Sequence, residues 1–407
     1  MPTDPSIRAL VLVVASASLV AVARGAYPLT TDSNCHCFKT NATASHYFAH
    51  HQFFDFRSLW QDFKVPKPID DFNASAQAAP PSAFFTHSKF ANAWAIMNWD
   101  NTALMGLNNS DVNDATVKMV NSPNNVYIDQ DSGQTHLTLR TVRHAAFQSA
   151  AEIESTSTGY HFLSVRMRAR TKGSPGAVTA MFTYRPPPSP QNQSLVQEAD
   201  LEILTRDPPA YVQYTNQPAW NATSDIPDAT RNVTLPGGRR WTDWADYRMD
   251  WTPGSSTWFV NGQQVSRINF QAPRDPAQVI FNAWSDGGSW SGEMAVGTEA
   301  YLQIRWIEMV YNSTTDHGGG KQPTPSTSTS SSGKKCANMC SIDETSQIGT
   351  PVLLVPSSGS GGSQPQPGNS CASAKYGQCA GKNWNGCQSC AAGSTCRYQN
   401  EYYSQCL

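Results

Sequence analysis

The chain has 407 residues, a formal net charge of −2 and only 15% charged residues. That length exceeds one ordinary domain. The lack of a basic surplus argues against a nucleic-acid binder, and a lightly charged surface with twelve tryptophans and fourteen tyrosines suits a neutral partner such as a polysaccharide.

Arg8 precedes an apolar run from Ala9 that continues through Ala23, and Ala23 and Gly25 are small residues at the two positions a signal peptidase needs. The run is short of the roughly 20 residues that span a bilayer, so it reads as an export signal over residues 1–25, with the mature chain secreted. No second stretch is expected to enter a membrane. An exported chain with ten cysteines is expected to form disulfides rather than metal or catalytic thiolate sites.

Residues 26–312 read as one all-β domain. Short alternating runs recur between turn signals, among them 135–140, 160–167, 247–252, 257–260 and 302–307. Asn261-Gly262 between Val260 and Gln263 predicts a two-residue hairpin. Many strands in one domain predict two packed sheets.

Within this domain, Gln197-Glu198-Ala199-Asp200-Leu201-Glu202-Ile203 sets three carboxylates at alternate positions. Alternate residues of a strand share a face, so Glu198, Asp200 and Glu202 should project together while Ala199, Leu201 and Ile203 enter the core. Crowding three like charges costs stability, which points to chemistry that needs paired carboxyls. A retaining glycoside hydrolase needs a carboxylate nucleophile and a carboxylic acid roughly 5–5.5 Å apart. On that reading Glu198 is the nucleophile, Glu202 the general acid/base and Asp200 the residue that separates their pKa values. A solvated strand with an acidic outer face is the structural alternative.

The rest divides into four parts. Residues 313–335, rich in Pro, Ser and Thr, read as a linker, and residues 357–370 as a second one. Between them, residues 336–356 carry Cys336 and Cys340, expected to pair with Cys35 and Cys37 and to pin this segment to the β domain. The spacing leaves open which cysteine takes which partner. Residues 371–407 hold Cys371, Cys379, Cys387, Cys390, Cys396 and Cys406. So short a segment needs staples, and six cysteines allow fifteen connectivities.

The Glu-x-Asp-x-Glu stretch resembles the catalytic signature of family-16 glycoside hydrolases. The runs Leu163–Arg170, Gly176–Tyr184, Trp244–Pro253 and Trp258–Gly262, with Asn282-Ala283-Trp284-Ser285 and Trp290-Ser291-Gly292, are similar to that family's strands in the same order. The resemblance implies a concanavalin-like jelly roll, with the three carboxylates in the roles given above. The spacing is the regular, unbulged one, as in mixed-linkage glucanases, xyloglucan transglycosylases and chitin–glucan crosslinkers. Trp284 and Trp290 are the favoured sugar platforms, with Trp94, Trp99, Trp241 and Trp244 behind them. Tyr214 and Asn216 are further cleft candidates. Trp251, Trp258 and Trp306 are assigned to the core. Some relatives carry a structural calcium ion, but no ligand set is readable here and no cofactor or metal is expected.

Tyr376-Gly377-Gln378-Cys379-Ala380-Gly381 and Asn400-Glu401-Tyr402-Tyr403-Ser404-Gln405-Cys406-Leu407 resemble the two ends of a family-1 cellulose-binding module. The resemblance implies a flat strip of Tyr376, Tyr402 and Tyr403, hydrogen-bonding partners Gln378, Asn400 and Gln405, and Trp384 at a further aromatic position. It also implies the bridges Cys379–Cys396 and Cys390–Cys406, leaving Cys371–Cys387. Ala380 departs from the family's usual glycine. The function expected is a monomeric, secreted, retaining endo-β-glucanase on plant-wall β-glucan, with cellulose as a second partner. The alternatives are a transglycosylase on xyloglucan or chitin–glucan, and a non-catalytic lectin-like protein.

Overall fold

The computed structural model describes residues 27–355, apart from 42–45, 87, 106–113, 190–191, 222–223 and 315–335, and parts of the C-terminal segment (372–373, 378–381, 388–400 and 403–407). The expected signal at 1–25 and most of both expected linkers lie outside the described residues. The chain divides into two compact units, Met1–Pro356 and Ser357–Leu407.

The first unit is a β-sandwich of jelly-roll type. Six strands of one sheet carry the site described below: β1 (Gln148–Ser155), β2 (Val178–Arg185), β3 (Gln197–Leu204), β4 (Tyr211–Gln217), β5 (Thr230–Thr234) and β6 (Gln278–Trp284). Their order across the sheet is β5-β4-β3-β2-β6-β1, every neighbour antiparallel. Beyond β1 the path continues into the second sheet through Gln134–Arg143, Glu299–Ser313, Tyr160–Gly173, Ala245–Thr252, Ser255–Val260 and Gln263–Ile268. Among the described residues no helix is long and apolar enough to cross a membrane.

The period-2 pattern builds the core. Ala199, Leu201 and Ile203 of β3, Met181 of β2, and Val279, Phe281 and Ala283 of β6 meet Val165, Met167, Met249, Ile304 and their neighbours from the opposite sheet. Apolar burial of this kind, at about 25 cal/mol per Å², is the main force holding the two layers together. Trp251, Trp258 and Trp306 are buried, as their strand positions suggest. The hairpin at Asn261-Gly262 forms as expected: both residues take positive φ (48° and 78°), the geometry that matches the twist of the flanking strands.

The segment at 336–356 lies against the second sheet's outer face. Cys35 pairs with Cys340 and Cys37 with Cys336. Met339–Ser341 pairs in parallel with Cys37–Lys39 and antiparallel with Val352–Val355, making a four-stranded sheet with Tyr47–Phe48. Charge explains the docking. Arg166 and Arg248 are register partners on adjacent strands, and Arg248 also donates to Asp250 at 2.6 and 2.7 Å. Asp343 of the docked segment accepts from both, at 3.1 and 3.0 Å, and is almost fully buried. Glu308 completes the cluster, accepting from Arg166 and from the Gly349 backbone N–H and contacting His51 at 3.0 Å.

Burial alone would lower the His51 pKa, but its contacts with Asp32 and Glu308 overrule that and hold it at about 9. A histidine raised on folding contributes stability that is complete below its unfolded pKa of about 6.5 and is lost as pH rises through the folded value. Urea unfolding of the disulfide-intact protein should therefore show stability falling between pH 7 and 10, by roughly 1–3 kcal/mol more than in His51→Gln. Parallel pH profiles for the two proteins would remove this role from His51.

Candidate active site

Because Ala199, Leu201 and Ile203 point into the sandwich, Glu198, Asp200 and Glu202 must point to the opposite face of β3. Register fixes their neighbours. Glu198 lies between Tyr184 of β2 and Gln217 of β4, Asp200 between Phe182 and Thr215, and Glu202 between Ala180 and Gln213. Further across, Gln278, Ile280, Asn282 and Trp284 of β6 share this face, followed by Glu154 and Glu152 of β1. Asp200, Asn282 and Glu152 are buried although they lie on the face turned away from the sandwich core. The face is therefore recessed, and Glu198 and Glu202 are half-buried within it.

The three carboxyls differ in how their charge is met. Asp200 accepts from Gln217 Nε2 at 3.2 Å, and its other oxygen has no N–H or hydroxyl donor. It interacts with the Glu198 carboxyl, which requires a shared proton. Burial first, and then the charges of Glu198 and Glu202, raise Asp200 well above the ordinary carboxylate range, so that proton belongs to Asp200. Glu198 is raised by burial to about 7, with the Asp200 hydrogen bond pulling the other way. Glu202 has no such relief. Burial and then the Glu198 charge raise it to about 8. Burial thus raises all three carboxyls, and of the two glutamates only Glu198 has the Asp200 hydrogen bond acting against the rise.

The favoured aromatics do come together. Trp284 and Trp290 stack with ring centroids 6.0 Å apart and planes at 25°. Trp284 ends β6, and Trp290 sits on the following loop, where Ser291 Oγ donates to Asp286 Oδ1 at 2.5 Å and Arg206 Nη1 donates to the Ser289 carbonyl at 2.7 Å. Trp99 is exposed and donates to Glu152 Oε1 at 2.7 Å. Glu152 also accepts from Asn282 Nδ2 at 3.2 Å, and burial raises it to about 8.

Five expectations need correction. Tyr214 and Asn216 face the wrong way: they oppose Leu201 and Ala199, so they share the core-side parity of β4. Tyr214 packs on Trp258 inside the sandwich, and Asn216 donates to the backbone carbonyls of Ile268 and Phe270. The cleft positions of β4 are Gln213, Thr215 and Gln217, one residue out of step. Trp94 packs in the core against Phe54 and Phe281, and Trp241 is also a core residue. Trp244 lies against Arg170, Arg305 and His136, residues of the opposite sheet.

Sequence reasoning missed Gln217, Tyr184, Phe182, Asn282 and Glu152. For two of them a signal was present. Asn282 lies two residues before Trp284, and Ala151-Glu152-Ile153-Glu154 alternates acid with apolar residues just as β3 does.

The C-terminal unit joins Cys379 to Cys396 and Cys390 to Cys406. Its described strands Gln378–Ala380, Cys396–Asn400 and Tyr403–Cys406 form one small sheet. Gln405 lies there, half-buried. Tyr376, Trp384, Tyr402 and the Cys371–Cys387 pairing lie outside the described residues, as do the side chains of Gln378, Asn400 and Tyr403. Among the described residues, Cys379, Cys390 and Cys406 are the only group close enough together to hold a metal ion, and all three are in disulfides.

Comparison with known proteins agrees with this division. The family model for glycosyl hydrolases family 16 matches residues 113–308, and that for the fungal cellulose binding domain matches residues 375–403. A β-glucanase of Paenibacillus polymyxa is 24% identical over 57% of this chain and 93% of its own length. A lytic polysaccharide monooxygenase of Podospora anserina (E, of the AA9 family) is 65% identical over 37 residues, 9% of this chain and 13% of its own. Among solved structures, a prokaryotic β-1,3-1,4-glucanase (lichenase) from a mouse hindgut metagenome aligns over 65% of this chain and 99% of its own, at 19% identity and a TM-score of 0.40. The chain carries a glycosyl hydrolases family 16 domain followed by a fungal cellulose-binding domain, and is a glycoside hydrolase.

Proposed function

We propose that the protein is a secreted, retaining endo-β-glucanase acting on plant-wall β-glucan of the β-1,3-1,4 type, held at cellulose by its C-terminal module. The observation that carries this reading is the carboxyl trio on one recessed face of β3, with Gln217 of β4 on Asp200 and Asn282 and Trp284 of β6 on the same face. The β-glucanase relatives supply the substrate class.

Glu198, relieved by Asp200, is the nucleophile and attacks the anomeric carbon. Glu202, the glutamate with the higher pKa, protonates the departing glycosidic oxygen and then takes a proton from the water that hydrolyses the glycosyl-enzyme. Asp200 donates a hydrogen bond to Glu198, and Gln217 fixes its orientation. The Trp284–Trp290 pair and Trp99 supply flat apolar surface for sugar rings, while Asn282 and the largely protonated Glu152 meet hydroxyl groups.

The reading is tested by incubating full-length protein with lichenan, barley glucan, xyloglucan and laminarin, with and without an acceptor oligosaccharide. The expected result is internal cleavage of lichenan and barley glucan at least about tenfold faster than of the other two, with released ends of retained configuration. Products longer than the added acceptor, formed in preference to hydrolysis, would make the protein a transglycosylase. Inactivity on all four polymers would favour the lectin-like reading.

A further inference from the structure

We propose that the docked segment 336–356 makes the join between enzyme and cellulose module independent of the 315–335 stretch. In sequence, 56 residues from 315 to 370 separate the last strand of the sandwich from the cysteine-rich module, with Cys336 and Cys340 among them. The structure closes that path on itself. Cys336 and Cys340 are bonded to Cys37 and Cys35, across sequence separations of 299 and 305 residues. A cut anywhere in 315–335 therefore leaves the C-terminal side attached to the catalytic unit through two covalent bonds.

The non-covalent contacts are equally extensive. Phe38, Phe48, Val310, Cys340 and Ile342 form a buried apolar cluster under the segment. Backbone hydrogen bonds hold both of its ends: Thr30 N–H to the Pro351 carbonyl, Leu353 N–H to the Pro28 carbonyl and His36 N–H to the Asn338 carbonyl. Asp343 accepts from both Arg166 and Arg248, whose partners on the sheet are Glu308 and Asp250, and so ties the segment into a charge cluster on the sheet. Gly349 fits only as glycine: it takes φ +82°, and an added Cβ would lie 2.2 Å from the Phe53 ring.

The consequence concerns targeting. The join depends on residues 356–370, 15 residues, rather than on 56. A shorter join raises the effective concentration of the enzyme at the surface its module holds. The 315–335 stretch, with Lys321, Lys334 and Lys335 open in sequence to trypsin-like proteases, can be cut without loss of that targeting, whereas 336–374 contains no lysine or arginine.

The test replaces residues 324–330 of the full-length protein with a site-specific protease sequence. It follows the catalytic unit by an attached fluorophore rather than by activity, so the outcome does not depend on the substrate assignment. After complete cleavage the protein should run as one species on a non-reducing gel and as two on a reducing gel. At least about nine-tenths of the label should stay on crystalline cellulose. Release of most label from cellulose by cleavage alone would overturn the proposal. The same cleavage in a variant with Cys35, Cys37, Cys336 and Cys340 all changed to serine should release label progressively on dilution. If that variant holds its label as firmly as the disulfide-bonded protein, the covalent part of the proposal is wrong.

Discussion

Glu198→Ala should lose at least about 10⁴-fold in kcat/KM on β-glucan, and added azide should restore turnover of an activated aryl glycoside with inverted product. The expectation follows from the order of steps. Without the Glu198 carboxylate no glycosyl-enzyme forms, and a small anion entering the vacated space attacks the anomeric carbon once, inverting it. Glu202→Ala should behave differently. Loss on the polymer should be similar, because its leaving group needs a proton. Loss on an aryl glycoside with a good leaving group should be much smaller in the first step, and azide should trap the glycosyl-enzyme from the opposite side to give retained product. The measurement is product configuration by NMR together with the two rate constants. Retained product from Glu198→Ala with azide, or more than about a tenth of the polymer activity left in it, would exchange or remove the roles. The contrast matters because burial raises both glutamates, the Asp200 hydrogen bond acts against the rise at Glu198, and the Glu198 charge adds to it at Glu202.

The inactive Glu202→Gln protein should be more stable than the parent at pH 8 and equal to it near pH 4. An unfolded glutamate ionises near 4.3, whereas Glu202 in the fold keeps its proton up to about 8. Between those limits the unfolded chain releases a proton that the folded chain holds, so stability falls as pH rises through that window. Glutamine never ionises and escapes the loss. Allowing for the solvent that reaches the open side of the trough, the difference should be about 1–3 kcal/mol at pH 8, or a few degrees in Tm. Scanning calorimetry of both proteins at pH 4, 6 and 8 measures it. A pH-independent difference, or a less stable variant at pH 8, would show that Glu202 is not held protonated by its surroundings. Glu198, Asp200 and Glu152 are all shifted in the same direction. Their shared strain is the stability given up for a site that can carry charge in a buried place.

How far these features could be read in advance differs from residue to residue. The face shared by Glu198, Asp200 and Glu202 follows from a period of two, which only requires the segment to be a strand. The hairpin at Asn261-Gly262 follows from the positive φ that those two residues tolerate. Tyr214 and Asn216 failed for an equally simple reason. Their sequence proximity to β3 says nothing about where β4 begins its pairing, and an offset of one residue moves a side chain from the trough to the core. Trp94 and Trp241 failed because an indole ring suits a core as well as a sugar platform, and only the packed neighbours decide between them.

Glu152 and Asn282 each carried a local signal, but their meeting in the trough was hidden by distance along the chain. They come together because β1 and β6 lie next to each other, an adjacency that non-local pairing creates and no local pattern announces. The docked segment at 336–356 is intermediate. Its cysteines announced a link to the N-terminal pair, but Asp343 gains its meaning only from Arg166 and Arg248, about a hundred or more residues away in the chain.

By itself, the sequence determined what is periodic or covalent: the strand faces, the tight turn, the cysteine-stapled module and the identity of the carboxyls. The tertiary structure decided what depends on register and on adjacency of distant strands. That includes which side chains flank each carboxyl, which of the glutamates is relieved by a hydrogen bond, and which tryptophans lie outside the core. The division has one physical cause. Side-chain direction along a strand is set by local backbone geometry, whereas burial and electrostatic environment are set by whatever the rest of the chain brings alongside.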